Sequence, residues 1–229
     1  MKRLSVLLML CLMAVGAFAL DLGIDAGGRF DTHTTTTTLT VFSSTVTTEV
    51  NRQDLDFRFG LVAMPFPWFQ LGIDYFKTGD KGGYTEISSG SSKNKTNQDP
   101  DKRSLSFVAI EGLFRIPLRS GGLRLTPMIG AEYDFCVGAI TASGTVLAAS
   151  DITDADGNDA GFAYYSRLVL KAGVSADFPL SRQVILRPWL LAGYGLPSAK
   201  DADDKAAAPT SYSLFDFDIE AGMGLVFKL

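Results

Sequence analysis

Charged side chains recur at alternate positions through much of this chain, and that spacing is its most chemical feature. Asp25 and Arg29 stand in "LGIDAGGRF", Asp56 and Arg58 in "DLDFRFG", and Asp74 in "FQLGIDYF". Glu111 and Arg115 follow in "AIEGLFR", Arg124 and Glu132 in "LRLTPMIGAEYDF", and Arg167 and Lys171 in "SRLVLKAG". Arg187 lies in "ILRPWLLAGYGL", with Asp218 and Glu220 in "LFDFDIEAG". Asp21, Asp134, Asp177, Asp216 and Lys228 keep the same phase within their own runs. A strand turns successive side chains to opposite faces, so a period of two collects these groups on one face. Acids and bases gathered on one enclosed face can neutralise one another as ion pairs or border a polar passage.

Other reactive types are scarce. His33 is the sole histidine and sits in a threonine tract without a serine and carboxylate constellation around it. The two cysteines, Cys11 and Cys136, are too few for a thiolate zinc site, and the chain has no phosphate-binding loop. The stretch "DITDADGNDAG", 151–161, has the oxygen density of a calcium loop. It departs from the EF-hand pattern, because Ile152 falls where the first ligand belongs and no glutamate closes it, and it reads as a solvated turn. The chain is therefore expected to be no enzyme and to need no cofactor or metal. A formal charge of −4 without a basic patch points away from nucleic acid.

The N-terminus has a separate logic. Lys2 and Arg3 precede the apolar "LSVLLMLCLMAVG", and Ala17-Phe18-Ala19 supplies a small-x-small cleavage site. That is the order of a secretory signal peptide, so residues 1–19 are expected to be removed and 20–229 to form the mature domain. Cys11 is not a lipid attachment site, since Leu10 is larger than the residue such a site requires. With Cys136 the only thiol left, no internal disulfide can form. No later apolar run approaches the roughly 20 residues of a membrane-spanning helix.

The charges must be positioned by strands. "DLDFRFGLVAM" sets Leu55, Phe57, Phe59, Leu61 and Ala63 against Asp56, Arg58 and Gly60. "LFDFDIEAGMGLVFKL" sets Phe215, Phe217, Ile219, Ala221, Met223, Leu225 and Phe227 against Asp216, Asp218, Glu220 and Lys228. Strict alternation of this kind marks a strand with one apolar face. Eight such runs occur, at 20–31, 53–64, 69–78, 104–116, 123–136, 164–178, 184–196 and 213–229. Their connections alternate between short Pro/Gly turns ("PFPW", "PLRSGG", "PLSRQ") and long polar loops at 32–52, 79–103, 137–163 and 197–212. An even strand number with tight turns at one end and long loops at the other predicts an antiparallel up-and-down transmembrane β-barrel, with short periplasmic turns and long extracellular loops.

A water-soluble barrel shares the same period but reverses the faces. Aromatic residues favour the membrane form. Phe69, Tyr75, Tyr133, Phe135, Tyr194, Phe215 and Phe227 gather on the apolar parity near strand ends, as an interfacial girdle does. In that form the charges face the lumen, joined there by Phe76, Phe107, Met128, Trp189 and Leu191. An eight-stranded lumen is barely wide enough for its own side chains, so two interiors are open: an ion-paired plug, or a narrow passage lined by those apolar residues. Pro127 and Pro188 fall on the outward parity a few residues beyond short turns, where a missing ladder donor is tolerated.

The closing "EAGMGLVFKL" resembles the terminal recognition strand of bacterial outer-membrane proteins, with Leu229 in place of the usual final aromatic and Phe227 two positions earlier. "LTPMIGAEY" and "LRPWLLAGY" resemble a strand motif of small eight-stranded barrels of the OmpW and OmpA-like class. The resemblance implies a bacterial cell outer membrane location, outer-membrane lipid around the wall and delivery to the barrel-insertion machinery through the C-terminal strand. For the OmpW-like members it implies an apolar path for small hydrophobic molecules. The expected function is a small passive, porin-like channel or a structural surface protein. The alternative is an adhesin that meets a host surface ligand through its long loops while the barrel stays plugged. The threonine-rich 32–52 either extends the first two strands and exposes their edges to a partner strand, or is a solvated low-complexity loop.

Overall fold

Alternation becomes strand along most of the chain. The computed structural model describes residues 21–41, 44–98, 104–120, 123–141, 143–154, 156–207 and 211–228. The expected signal peptide, 1–19, and Leu229 lie outside the described residues. The strands are β1 (Asp21–Val41), β2 (Ser44–Phe66), β3 (Phe69–Ser89), β4 (Ser92–Gln98), β5 (Ser104–Arg115), β6 (Leu118–Ser120), β7 (Leu123–Ile140), β8 (Val146–Leu147), β9 (Arg167–Pro179), β10 (Val184–Gly195) and β11 (Ser211–Lys228). Among the described residues an α-helix, α1 (Ala199–Ala207), follows β10.

Eight of these strands close into a ring. The order β2-β1-β11-β10-β9-β7-β5-β3 returns to its start through the β2–β3 pairing, and every neighbour is antiparallel. The first and last strands zip from Asp21↔Lys228 to Thr38↔Ser211. Closure pairs both edges of each wall strand, which is what a spanning sheet needs where no water can satisfy its backbone. Each of these strands contains most or all of one of the alternating runs.

Two expectations about the connections change. Of the two readings of 32–52, the extension of the first two strands is the one observed, and 79–103, expected as a loop, is strand over 79–89 and 92–98. β1 and β2 stay paired to Val41↔Ser44, and β3 continues to Ser89 before turning at Gly90, φ +58°, into β4. β-branched threonines suit an extended pleated backbone, so the hairpins propagate beyond the membrane band. The edges of β1 and β2 are not exposed, since β11 and β3 pair with them; the outer strand of this extension is β4. β9 begins at Arg167 and not at 164, because Phe162–Tyr165 form a 3₁₀ turn after Gly161 at φ +64°.

Pro127 and Pro188 each coincide with a break in one ladder. β5 pairs with β7 only as far as Met128, and β6 resumes at Leu125, leaving Pro127 in the gap, where its carbonyl accepts from Ile116 N–H at 3.0 Å. Pro188 pairs with Met223 on β11 but falls in an interruption of the β9–β10 ladder, between Leu186 and Trp189.

The two faces separate by polarity. Phe57 (79 % exposed), Phe59, Leu61, Ile73, Ile110, Ile129, Leu170, Leu190, Ile219 and Met223 cover the outer wall. Arg29, Asp56, Arg58, Asp74, Glu111, Glu132, Lys171, Asp218 and Glu220 are buried in the lumen. An apolar exterior around a charged interior inverts the pattern of a soluble barrel and matches a wall solvated by hydrocarbon.

Candidate functional site

The lumen is crossed by a continuous charge network. Arg29 on β1 donates Nη1 to Glu132 Oε1 (3.2 Å) and Asp134 Oδ2 (3.3 Å) on β7, and Nη2 to Asp218 Oδ2 (3.0 Å) on β11. Arg58 on β2 reaches Asp74 Oδ2 (2.5 Å), Glu132 Oε2 (3.0 Å) and Glu220. Lys171 on β9 stands 2.6 Å from Glu132 Oε2, 2.9 Å from both Glu220 oxygens and 3.4 Å from Glu111 Oε2. These groups converge because every second residue of each strand points to the axis and the strands are held in register.

Arg167 caps this network toward the loop end, with Nη2 2.5 Å from Asp31, Nη1 2.6 Å from Asp216 and Nε 3.2 Å from Asp134. Asp31 was not among the candidates, although the phase Asp25, Arg29, Asp31 carries it. Toward the short turns, Arg187 Nε lies 2.6 Å from Asp177 Oδ1, and Arg115 Nη2 is 3.9 Å from the same oxygen. Asp56 is buried opposite Arg29 in the β1–β2 register, and Arg124 opposes Asp177 in the β7–β9 register. Asp25 borders a small void beside Arg58 and Glu111.

The apolar lumen candidates form two separate groups. Phe76 and Phe107 stack with centroids 5.1 Å apart, packed with Ala109 and Cys136. Met128 and Leu191 pack with Leu113 and Trp189. The network lies between them: the Arg29 guanidinium covers the Phe76 ring at 4.9 Å, and that of Arg58 covers Trp189 at 5.7 Å. The expected apolar path is therefore interrupted by charge.

Cavities lie at the centre of the lumen and at each of its ends among the described residues. The void at the centre, bordered by Asp25, Arg58, Glu111 and Trp189, measures about 10 Å³, the space of a single water. A cavity of about 180 Å³ opens at the loop end among Asp31, His33, Phe107, Tyr165, Arg167 and Asp201. One of about 340 Å³ opens at the short-turn end among Met64, Arg115, Arg124, Thr126, Asp177 and Arg187.

Folding brings a serine and a carboxylate to His33, a juxtaposition invisible in sequence. His33 Nε2 is 3.7 Å from Asp201 Oδ1, and Ser198 Oγ donates to Asp201 Oδ2 at 2.7 Å. A nucleophilic triad needs the hydroxyl on the imidazole, whereas here both partners face the carboxylate. Asp201 also accepts from Ser198 N–H at 2.8 Å, so this cluster caps α1.

Within the 151–161 segment, Asp154 anchors a turn with residues 156–158. Its Oδ1 accepts from Asn158 N–H (2.8 Å) and Asp156 N–H (3.0 Å), while Gly157 takes φ +84°. Those backbone donors, first that of Asn158, hold the Asp154 carboxyl below its ordinary range. On the β-extension, Tyr84 donates to Glu49 Oε1 at 2.7 Å, and that bond raises its phenol above the usual value.

No protein-family model matches the chain, and no curated protein matches it. Among solved structures it is similar to Neisserial surface protein A, at 11% identity over 92% of this chain and 97% of that one, TM-score 0.43. It is also similar to the outer membrane protein OprG from Pseudomonas aeruginosa, at 8% identity over 93% and 97%, TM-score 0.38. A third likeness is the outer membrane protease OmpT from Escherichia coli, at 8% identity over 92% and 97%, TM-score 0.37. The class follows from the chain's own closed ladder, apolar wall and buried interior charges. The chain is an eight-stranded antiparallel transmembrane β-barrel of the outer-membrane kind.

Proposed function

We propose that this protein is a surface protein of the bacterial outer membrane, in which the barrel is a sealed anchor and the loop end carries the recognition surface. The observation behind this reading is the Arg29–Glu132 ion pair, made across the lumen between strands on opposite sides of the ring. With Arg58 and Lys171 also bonded to Glu132, the three cations tie the four strands β1, β2, β7 and β9 together at one level. An open polar channel would leave these groups to water; here they are 0–3 % exposed. The small size of the central void, about 10 Å³ between larger cavities at the two ends, supports the same reading over the passive channel.

Above the band, the β1–β2 hairpin, β3 and β4 form a polar sheet extension. Its surface carries Tyr84, with Lys95 Nζ 3.6 Å from the ring centroid, and Lys93 bonded to Glu86 at 3.0 Å. This projecting sheet is the surface suited to a partner. We assign no catalytic role, since the His33 cluster lacks the hydroxyl-to-imidazole contact that nucleophilic activation requires.

Single-channel recording in planar bilayers tests the sealed anchor. Folded protein, verified by heat-modifiable gel mobility, is expected to give no conductance steps; regular steps would restore the channel reading. Proteinase K applied to intact cells tests the outward extension, with cleavage expected between residues 84 and 98 while the barrel fragment survives. Full protection on intact cells, with cleavage after outer-membrane permeabilisation, would reverse the orientation.

A further inference from the structure

At the short-turn mouth two guanidiniums share one carboxylate. Arg187 Nε donates to Asp177 Oδ1 at 2.6 Å, and Arg115 Nη2 is 3.9 Å from that oxygen. Both arginines are 5 % exposed, so water does little to screen them. One further donor of each meets a sulfur: Arg115 Nη1 and Arg187 Nη1 lie 2.6 and 2.8 Å from Met64 Sδ. A thioether is a weak acceptor and carries no charge, so it cannot compensate the second cation. Among the described residues, Arg115 Nε and the buried Thr126 Oγ1 have no hydrogen-bond partner.

All of these residues line the 340 Å³ cavity, which Arg124 and Lys228 also border, against Asp21 and Asp177 as the acidic residues among the described ones. The opposite mouth is built differently. There Arg167 is bonded by Asp31, Asp134 and Asp216, so its charge is already answered. A buried cation without a counter-charge is costly, and an anion placed beside it recovers that cost. Guanidinium forks match oxyanions through paired, near-parallel hydrogen bonds, which a spherical halide cannot accept in the same way.

We propose that the short-turn mouth of the barrel is a binding site for a phosphate-class oxyanion. Arg115 and Arg187 supply the forks, Thr126 supplies a hydroxyl donor, and Arg124 and Lys228 add peripheral positive charge. The site opens at the end of the lumen, so the anion reaches it from the aqueous phase as free phosphate or a phosphate monoester, or as a lipid headgroup bent into the mouth.

The test uses the refolded full barrel in neutral detergent and phosphate-free buffer, titrated calorimetrically with inorganic phosphate and, separately, with dihexanoyl phosphatidic acid. Saturable binding of inorganic phosphate, with a matching rise in the temperature of the heat-modifiable mobility shift, is expected. Saturable binding of phosphatidic acid alone would support the site and assign its source to a headgroup. Arg115→Met leaves the Arg187–Asp177 pair intact and is expected to fold and to weaken binding at least tenfold. Thr126→Val removes one neutral donor and is expected to weaken it several-fold, which keeps the test decisive if the arginine variant does not fold. Arg52→Gln, at the other mouth, is expected to leave binding unchanged. No saturable binding of either probe, or wild-type affinity in both Arg115→Met and Thr126→Val, would overturn the proposal.

Discussion

Arg29 and Glu132 stand on strands directly across the ring, 103 residues apart in sequence, yet their side chains meet at 3.2 Å with neither exposed. One ion pair thus spans the lumen. Arg29 serves Asp134 and Asp218 as well, so its removal strands several carboxylates at once.

Arg29→Gln is accordingly expected to destabilise the folded barrel by about 3–5 kcal/mol, the cost typical of removing one partner from a buried charge cluster. Urea titration followed by heat-modifiable gel mobility measures it. A midpoint within error of the wild type would mean that the network contributes nothing to stability.

Ile73 belongs to the outer wall and is 56 % exposed. On a water-solvated surface Ile73→Arg would change stability by no more than about 0.5 kcal/mol. In hydrocarbon a cation costs about 2–4 kcal/mol near the midplane. Refolding equilibria in lipid vesicles are expected to show the larger loss, and a neutral result would place this face outside the bilayer.

The threonine tract makes a third test. Thr32–Thr38 pair with β2 on one side and β11 on the other. Their amides are expected to exchange slowly in a hydrogen–deuterium experiment, unlike those of a solvated loop. Complete exchange within the first seconds would contradict the paired extension.

Asp154 supplies the pH dependence. Its carboxyl is depressed, chiefly by the Asn158 backbone donor, so the turn's stabilisation is present above the ordinary aspartate range and lost as pH falls through the lower folded value. Carbon-detected NMR of the Asp154 carboxyl should give an inflection below about 3.9, the unperturbed value. Asn158→Ala keeps the backbone donor and is expected to return only part of the shift; an inflection at or above the ordinary value in the native protein would refute the turn.

Strand identity and facing were legible in the sequence because the pleat imposes a period of two. From Leu125 to Phe135 each alternate residue had to face hydrocarbon, and Thr126, Met128, Glu132 and Asp134 had to face inward. The same local rule exposes the eight-run layout and the phase of Asp31. It carries no information about which inward residues share a level. That depends on strand stagger and on contacts between residues more than 100 positions apart, such as Arg29 with Glu132.

The tertiary structure alone therefore decided that the apolar lumen residues divide into two groups around a charge network, rather than joining into a path. It also brought Ser198 and Asp201 from beyond β10 to His33, and set Arg115 and Arg187 around a single Asp177. Alternation along each strand determined facing; closure of the ring determined partners, because only a closed sheet fixes where opposite walls meet.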